Sequence, residues 1–195
     1  MVIFDLKNKK GFTLIEILVV VSIIGLLASI ILVSVGSARE KGKVANAGNT
    51  AKNLTLALEL YYSDMGFYPP DVSRGWDPGF QQPLPYNPDT GQSDTPVCSY
   101  CPSNWADIVQ EKWNGPYIQI WPQLTPWKGK YDYNYWSIET VRYGCSIMPG
   151  IYIGIQGDYN NENIIPSYAE QAMIDQDYDA DNCINGESQI LLYPL

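Results

Sequence analysis

From Phe12 to Val35 the chain is a 24-residue apolar run, broken only by Thr13, Glu16, Ser22, Gly25, Ser29 and Ser34. As a helix rising 1.5 Å per residue it would be about 36 Å long, enough to cross a hydrocarbon core of roughly 30 Å. Its one ionisable side chain is Glu16. A carboxylate at the centre of a membrane helix costs roughly 2.5–3.5 kcal/mol, so this one calls for a partner. Beyond the run, Val44, Ala47, Ala51, Leu54, Leu58 and Tyr61 recur at three- and four-residue steps, which places them on one helical face. The pattern predicts one helix from Phe12 to about Tyr62, roughly 75 Å long, whose second half lines a core. Such a length exceeds a compact domain, so half of the helix is expected to project. Gly25, Gly36, Gly42 and Gly48 each weaken it by about 1 kcal/mol relative to Ala, while permitting close helix approach.

The helical pattern stops at Met65-Gly66-Phe67-Tyr68-Pro69-Pro70. From Pro69 to Pro102 the chain turns to Pro, Gly, Asp, Gln and Trp without an apolar period and reads as a long surface loop. A short helix is expected from Asn104 to Trp113, capped by Ser103 or Asn104. Strands are expected at Tyr117–Trp121, Tyr131–Ile138, Ile151–Gln156 and Gln189–Tyr193. Tyr131, Tyr133 and Tyr135 alternate with Asp132 and Asn134, so the aromatics share one sheet face. The expected fold class is α+β: a small antiparallel sheet packed on the second half of the long helix.

Charge narrows the partners. The chain carries −9 with no His. Removing residues 1–11 takes away three Lys and one Asp, moving the remainder to −11. Phosphate binding needs clustered Lys and Arg, so nucleic acid is not an expected partner. Three basic residues precede the apolar run (Lys7, Lys9, Lys10) and three follow it (Arg39, Lys41, Lys43), so flanking charge does not fix its orientation. Cys98, Cys101, Cys145 and Cys183 all lie beyond the run, and an even count in a translocated domain suggests disulfides. Cys98–Cys101 with Cys145–Cys183 is the preferred one of three pairings. A zinc site would want a second close pair or a His, and a redox CxxC would want a βαβ context.

Gly11-Phe12-Thr13-Leu14-Ile15-Glu16, behind short basic residues and ahead of a long apolar helix, resembles the prepilin signal of type IV pilins and of type II secretion pseudopilins. The resemblance implies cleavage after Gly11 by a membrane-embedded prepilin peptidase and N-methylation of the new terminus, Phe12. It also implies assembly through the helix, with Glu16 meeting the Phe12 amine of a neighbouring subunit, an opposite charge that offsets part of the desolvation penalty. Many members carry a Pro where this chain has Val33. Gly115-Pro116-Tyr117-Ile118, then Pro126-Trp127 with Tyr131 and Tyr133, resemble the major pseudopilin pattern, although Thr125 and Lys128-Gly129-Lys130 depart from it. The implied fold is pilin-like, with a leader at 1–11, an assembly helix at 12–35, the head half of the helix at 36–62 and a disulfide-stapled head at 63–195.

The acidic tail is the best candidate for chemistry in the head. Asp175, Asp177, Asp179 and Asp181 alternate over seven residues, and hard oxygen ligands at that density suit Ca²⁺, which the resemblance to major pseudopilins also implies. The spacing is not that of an EF-hand, and a solvated loop stapled by Cys183 is the competing reading. Asp158, Asn160, Asn161 and Glu162 form a weaker acidic patch.

No nucleophile–base pair or phosphate-cradling Gly loop is evident, so an enzyme is not expected. The chain reads as a structural subunit of a type IV filament, closest to a secretion pseudopilin. Its expected partners are itself, prepilin peptidase, the inner-membrane assembly platform and membrane lipid. It would be a single-pass protein of the cytoplasmic membrane with its head outside the cytoplasm, then part of a periplasmic or extracellular filament. A pilus subunit for adhesion or motility is the near alternative, and a membrane-anchored binding protein with an aromatic-rich head is the distant one. Mass spectrometry of the mature N-terminus should find N-methylated Phe12. A start near Ser37 to Lys41 would indicate an ordinary secretory signal, and an intact Met1 or Val2 a plain anchor.

Overall fold

In the computed structural model, residues 11–156 and 164–195 are described; Lys7, Lys9, Lys10 and the patch at 158–162 lie outside them. The described chain forms two compact units, one ending at Glu40 and one from Lys41 to Leu195. Helix α1, Leu14–Met65, runs through both and is the one helix long and apolar enough to cross a membrane among the described residues.

In the first unit the apolar side chains of α1 from Leu14 to Ile31 are exposed throughout. In the second, Val44, Ala47, Ala51, Leu54, Leu58 and Tyr61 are all buried, joined by Ala57 and Met65. The three-and-four spacing therefore marks the face that meets the core. The helix runs one turn past the expected end and stops at Gly66, whose φ of 76° favours a residue without a Cβ and whose N–H donates to Tyr62 O at 2.8 Å.

The stripe packs on a three-stranded antiparallel sheet of order β3-β6-β7, with β3 at Tyr131–Trp136, β6 at Gly150–Gln156 and β7 at Glu187–Pro194. In register, Tyr131 faces Ile155 and Tyr133 faces Ile153, while Ile153 faces Ile190. These residues belong to one core with Leu54, Leu58 and Tyr61. Tyr61 is its aromatic hub, meeting Phe67, Phe80 and Tyr117 edge-on at 6.3, 6.2 and 5.9 Å.

Asp132, Asn134, Gln156, Glu187 and Gln189 occupy the alternate positions of the strands and are also buried. A hairpin of β4 (Thr140–Arg142) and β5 (Cys145–Ile147) stands on that second face, turned by Tyr143 and Gly144 at φ 47° and 87°. Positive φ at both turn residues matches a two-residue hairpin whose twist follows the strands.

Three expectations change. Tyr117–Trp121 is not a strand: Tyr117 N–H donates to Phe80 O and Trp121 N–H to Gln81 Oε1, so loop groups take the bonds a neighbouring strand would supply. The region 69–102 is mostly irregular but holds a minimal hairpin of β1 (Tyr86–Asn87) and β2 (Gln92–Ser93), and it is organised by buried Asp77, which accepts from Phe80 and Gln81 N–H. Helix α2, Trp105–Lys112, follows Asn104, whose side chain makes no cap hydrogen bond. A further helix, α3 at Ser167–Ile174, lies in a stretch where no element was expected.

Candidate functional site

Gly11 and Phe12 precede α1 and are exposed. Thr13 N–H and Oγ1–H donate to Glu16 Oε2 at 2.8 and 2.7 Å, and Glu16 N–H donates back to Thr13 Oγ1 at 3.3 Å. This reciprocal arrangement is a capping box, in which residues three apart satisfy the donors that a helix start leaves orphaned. Glu16 thus has a local partner within its own chain.

Disulfides join Cys98 to Cys101 and Cys145 to Cys183. The first closes a short ring that presents Tyr100, which stacks on Tyr135 at 3.5 Å and donates to Pro69 O at 2.9 Å. The second ties the β4–β5 hairpin to the acidic tail.

The structure does not gather the four tail aspartates. Helix α3 runs to Ile174, so Asp175 caps its end and accepts from Gln171 Nε2 at 2.9 Å, and Asp177 follows in a turn; both are exposed. Asp179 is buried and Asp181 half-buried. Asp179 accepts from Gln189 N–H and Asp181 from Cys183 N–H, each at 2.9 Å. Asp179 Oδ2 and Asp181 Oδ2 are buried without an N–H or O–H donor among the described residues. Burial pushes both carboxyls above the ordinary range, and the neighbouring Asp181 charge adds to the effect on Asp179. Glu170, on α3, is buried beside them and accepts from Asn185 and Gly186 N–H at 2.8 and 2.9 Å. Burial raises it too, with those backbone bonds opposing. No group of three or more His, Cys, Asp or Glu side chains among the described residues is arranged to hold a metal ion.

Tyr178, between these aspartates, lies on α1. A Cβ at Gly48 would come within 2.5 Å of its ring, so the tail rests on the helix where only glycine fits. Lys52 Nζ sits 5.9 Å from the same ring centroid.

The second sheet face holds another charged cluster. Arg142 approaches Glu187 at 3.3 Å and Asp132 at 3.8 Å, with Arg74 at 3.9 Å from Asp132. Gln156 Nε2 donates to Asp132 at 3.0 Å and to Glu187 at 2.6 Å. Burial pushes Asp132 up to about 7 although both arginines oppose it. Two carboxylates and two guanidiniums balance, and buried charges persist when so paired.

The prokaryotic N-terminal methylation motif matches residues 6–32. Type II secretion system core protein G of Pseudomonas aeruginosa is 31% identical over 132 residues, 65% of this chain and 81% of that protein. The chain belongs to the type II secretion system core protein G family. Core protein G of Vibrio cholerae is similar at 29% identity, over 66% of this chain and 72% of its own. The type IV major pilin PilE of Neisseria gonorrhoeae is 35% identical, over only 32% of this chain and 38% of its own. No solved structure gives a significant match.

For this core protein G family member, sequence reasoning placed Glu16, Asp179 and Asp181 at positions with distinctive environments but missed three groups. Glu170 escaped notice because it is brought to the tail by folding. Asp132 escaped because a polar residue alternating with aromatics reads as solvated, and Glu187 because it reads as one more oxygen donor of the acidic tail. The Thr13-x-x-Glu16 cap was legible as a motif but was hidden inside an apolar run.

Asp77, fully buried, is likewise pushed by burial to about 6. Carboxyls raised in the folded state bind protons there that the unfolded chain, titrating near 4, has released, so stability falls as pH rises through the raised values. In calcium-free buffer the head should melt at a higher temperature at pH 5 than at pH 8. Asp179→Asn should flatten that slope; an unchanged slope in thermal melts would contradict the environment assigned to it.

Proposed function

We propose that the protein is a pseudopilin-like structural subunit of a type II secretion system, cut by prepilin peptidase between Gly11 and Phe12 and methylated at Phe12. It polymerises through the Phe12–Val35 helix after delivery by an inner-membrane assembly platform. Before assembly it sits in the cytoplasmic membrane with its head outside the cytoplasm; it performs no catalysis of its own. The observation carrying this reading is the reach of the likeness: core protein G of Pseudomonas aeruginosa matches over 132 residues and PilE over 63, beside the methylation motif at residues 6–32. A surface pilus subunit is therefore the weaker reading.

Glu16 would serve assembly by exchanging its contact with Thr13 for the Phe12 amine of a neighbour. Glu16→Gln separates the two roles, because an amide can still cap a helix start but carries no charge. The expected result is normal membrane insertion with filament yield reduced about tenfold or more, read by sedimentation of sheared fractions. An unchanged yield would overturn the role of the Glu16 charge in assembly, whereas no sedimenting filament from the parent chain would favour a simple anchored protein.

We further propose a calcium ion at one part of the tail. Asp179 and Asp181, whose Oδ2 atoms lack donors, would hold it, and Asp175 and Asp177 would not. A bound cation would supply positive charge to two buried carboxyls that burial otherwise pushes toward protonation. Their bonds to Gln189 and Cys183 would pass that stabilisation to β7 and the staple. At a hundred times the dissociation constant, binding stabilises by about 2.7 kcal/mol. Millimolar Ca²⁺ should raise the melting temperature of the parent protein by several degrees and leave Asp179→Asn unmoved; equal behaviour of the two would rule the site out.

A further inference from the structure

The two disulfides of the head differ in what they hold. Cys145 and Cys183 lie 38 positions apart, and Cys145 is buried. Cys98 and Cys101 lie three apart, and both are half-buried. A crosslink removes freedom from the unfolded chain according to the logarithm of the loop it closes, so the short ring adds less to stability than the long staple. A bond that the fold favours less is easier to reduce, and exposed disulfides are the exchangeable ones. The short ring is also within reach. Val97 is 98% exposed and Ser99 is exposed, so Cys98 sits between two outward residues of a surface loop.

The ring carries part of a cover. Between its cysteines, Tyr100 stacks on Tyr135 at 3.5 Å, and its hydroxyl donates to Pro69 O at 2.9 Å, an oxygen that Tyr133 O–H also reaches at 3.2 Å. Tyr133 and Tyr135 belong to β3, an outer strand whose far side meets no further strand among the described residues. Loop groups take that place: Gly75 N–H donates to Tyr131 O at 2.9 Å, and Tyr135 N–H to Asp71 Oδ1 at 3.4 Å. A bare edge strand is a template for pairing with another chain, and a covering loop prevents it. At 3.4 Å the second bond is long, so the Tyr100 stack is what presses the cover against Tyr135.

We propose that Cys98–Cys101 is a redox latch: a dithiol protein outside the cytoplasm opens it, freeing Tyr100 and baring the outer edge of β3 at Tyr135, while Cys145–Cys183 stays closed. A thiolate of the partner attacks Cys98 Sγ and forms a mixed disulfide. The Cys98–Cys101 bond breaks, and Cys101 Sγ leaves with the electron pair and takes a proton. Cys101 Sγ lies 3.7 Å from Tyr68 O, so the new S–H has an acceptor in place. The partner's second thiolate then attacks the partner's own sulfur in the mixed disulfide, and Cys98 departs as a thiolate that is protonated. Two electrons and two protons pass to this chain, and the partner leaves with a disulfide of its own. The antiparallel sheet offers no βαβ frame for a CxxC catalyst, so this bond is acted upon and does not act.

The test uses the full chain in detergent micelles, titrated with dithiothreitol at mildly alkaline pH, quenched with N-ethylmaleimide and mapped by mass spectrometry. Cys98 and Cys101 should label together at a reductant concentration about tenfold or more below that needed for Cys145 and Cys183. Coincident opening of the two pairs, or earlier opening of the long staple, overturns the exchangeable bond. At the concentration that opens only the short ring, hydrogen exchange at the Tyr135 amide should quicken about tenfold, while exchange at Ile153 on the central strand holds. Tyr100→Ala should reproduce that rise with both disulfides intact. Unchanged exchange at Tyr135 in the reduced chain overturns the latch, and a Tyr100→Ala chain that exchanges like the parent overturns it equally. An equal rise at Ile153 would mean general loosening of the head and would also sink it.

Discussion

The apolar stripe of α1 from Val44 to Met65 supplies one wall of the head core, and the rest of the head is arranged around covering it. The sheet answers it with Tyr131, Tyr133, Ile151, Ile153 and Ile155, and the loop after α1 folds back to bring Phe67 and Phe80 against Tyr61. Burial of such large side chains contributes roughly 1.5–3 kcal/mol each relative to exposure, so the stripe is the main energetic anchor. The acidic tail uses the same helix differently, resting Tyr178 where Gly48 leaves the backbone bare.

On the other side of the sheet the problem is electrostatic. Asp132 and Glu187 are held by Arg142 and Arg74, and Gln156 bridges the two carboxylates. Removing one member would leave an uncompensated buried charge, which costs far more than an exposed pair contributes. The network therefore fixes the β4–β5 hairpin against the sheet, while the Cys145–Cys183 bond fixes the hairpin to the tail.

Much of this was legible in the chain because it is written in local periods. Steps of three and four from Val44 to Tyr61 gave the helix its buried face, and alternation at Tyr131, Tyr133 and Tyr135 gave the central register its aromatic side. What local pattern could not reveal depends on distant partners. Tyr117–Trp121 has strand-like composition, yet Phe80 and Gln81 claim its N–H groups. Helix α3 is short, and its Glu170 acquires meaning only when folding brings Asn185 and Gly186 to it. In the tail, Asp179 and Asp181 part from Asp175 and Asp177 because the end of α3 interrupts the alternation.

The Thr13–Glu16 cap changes what polymerisation means energetically. Its N–H belongs to the Phe12–Thr13 peptide bond, so cleavage after Gly11 leaves it intact. A subunit joining the proposed filament therefore swaps one satisfied contact for another, and a subunit leaving it recovers the first. The helix start is thus already satisfied before any neighbour arrives, and a neighbour's amine would have to displace Thr13 rather than fill an empty place.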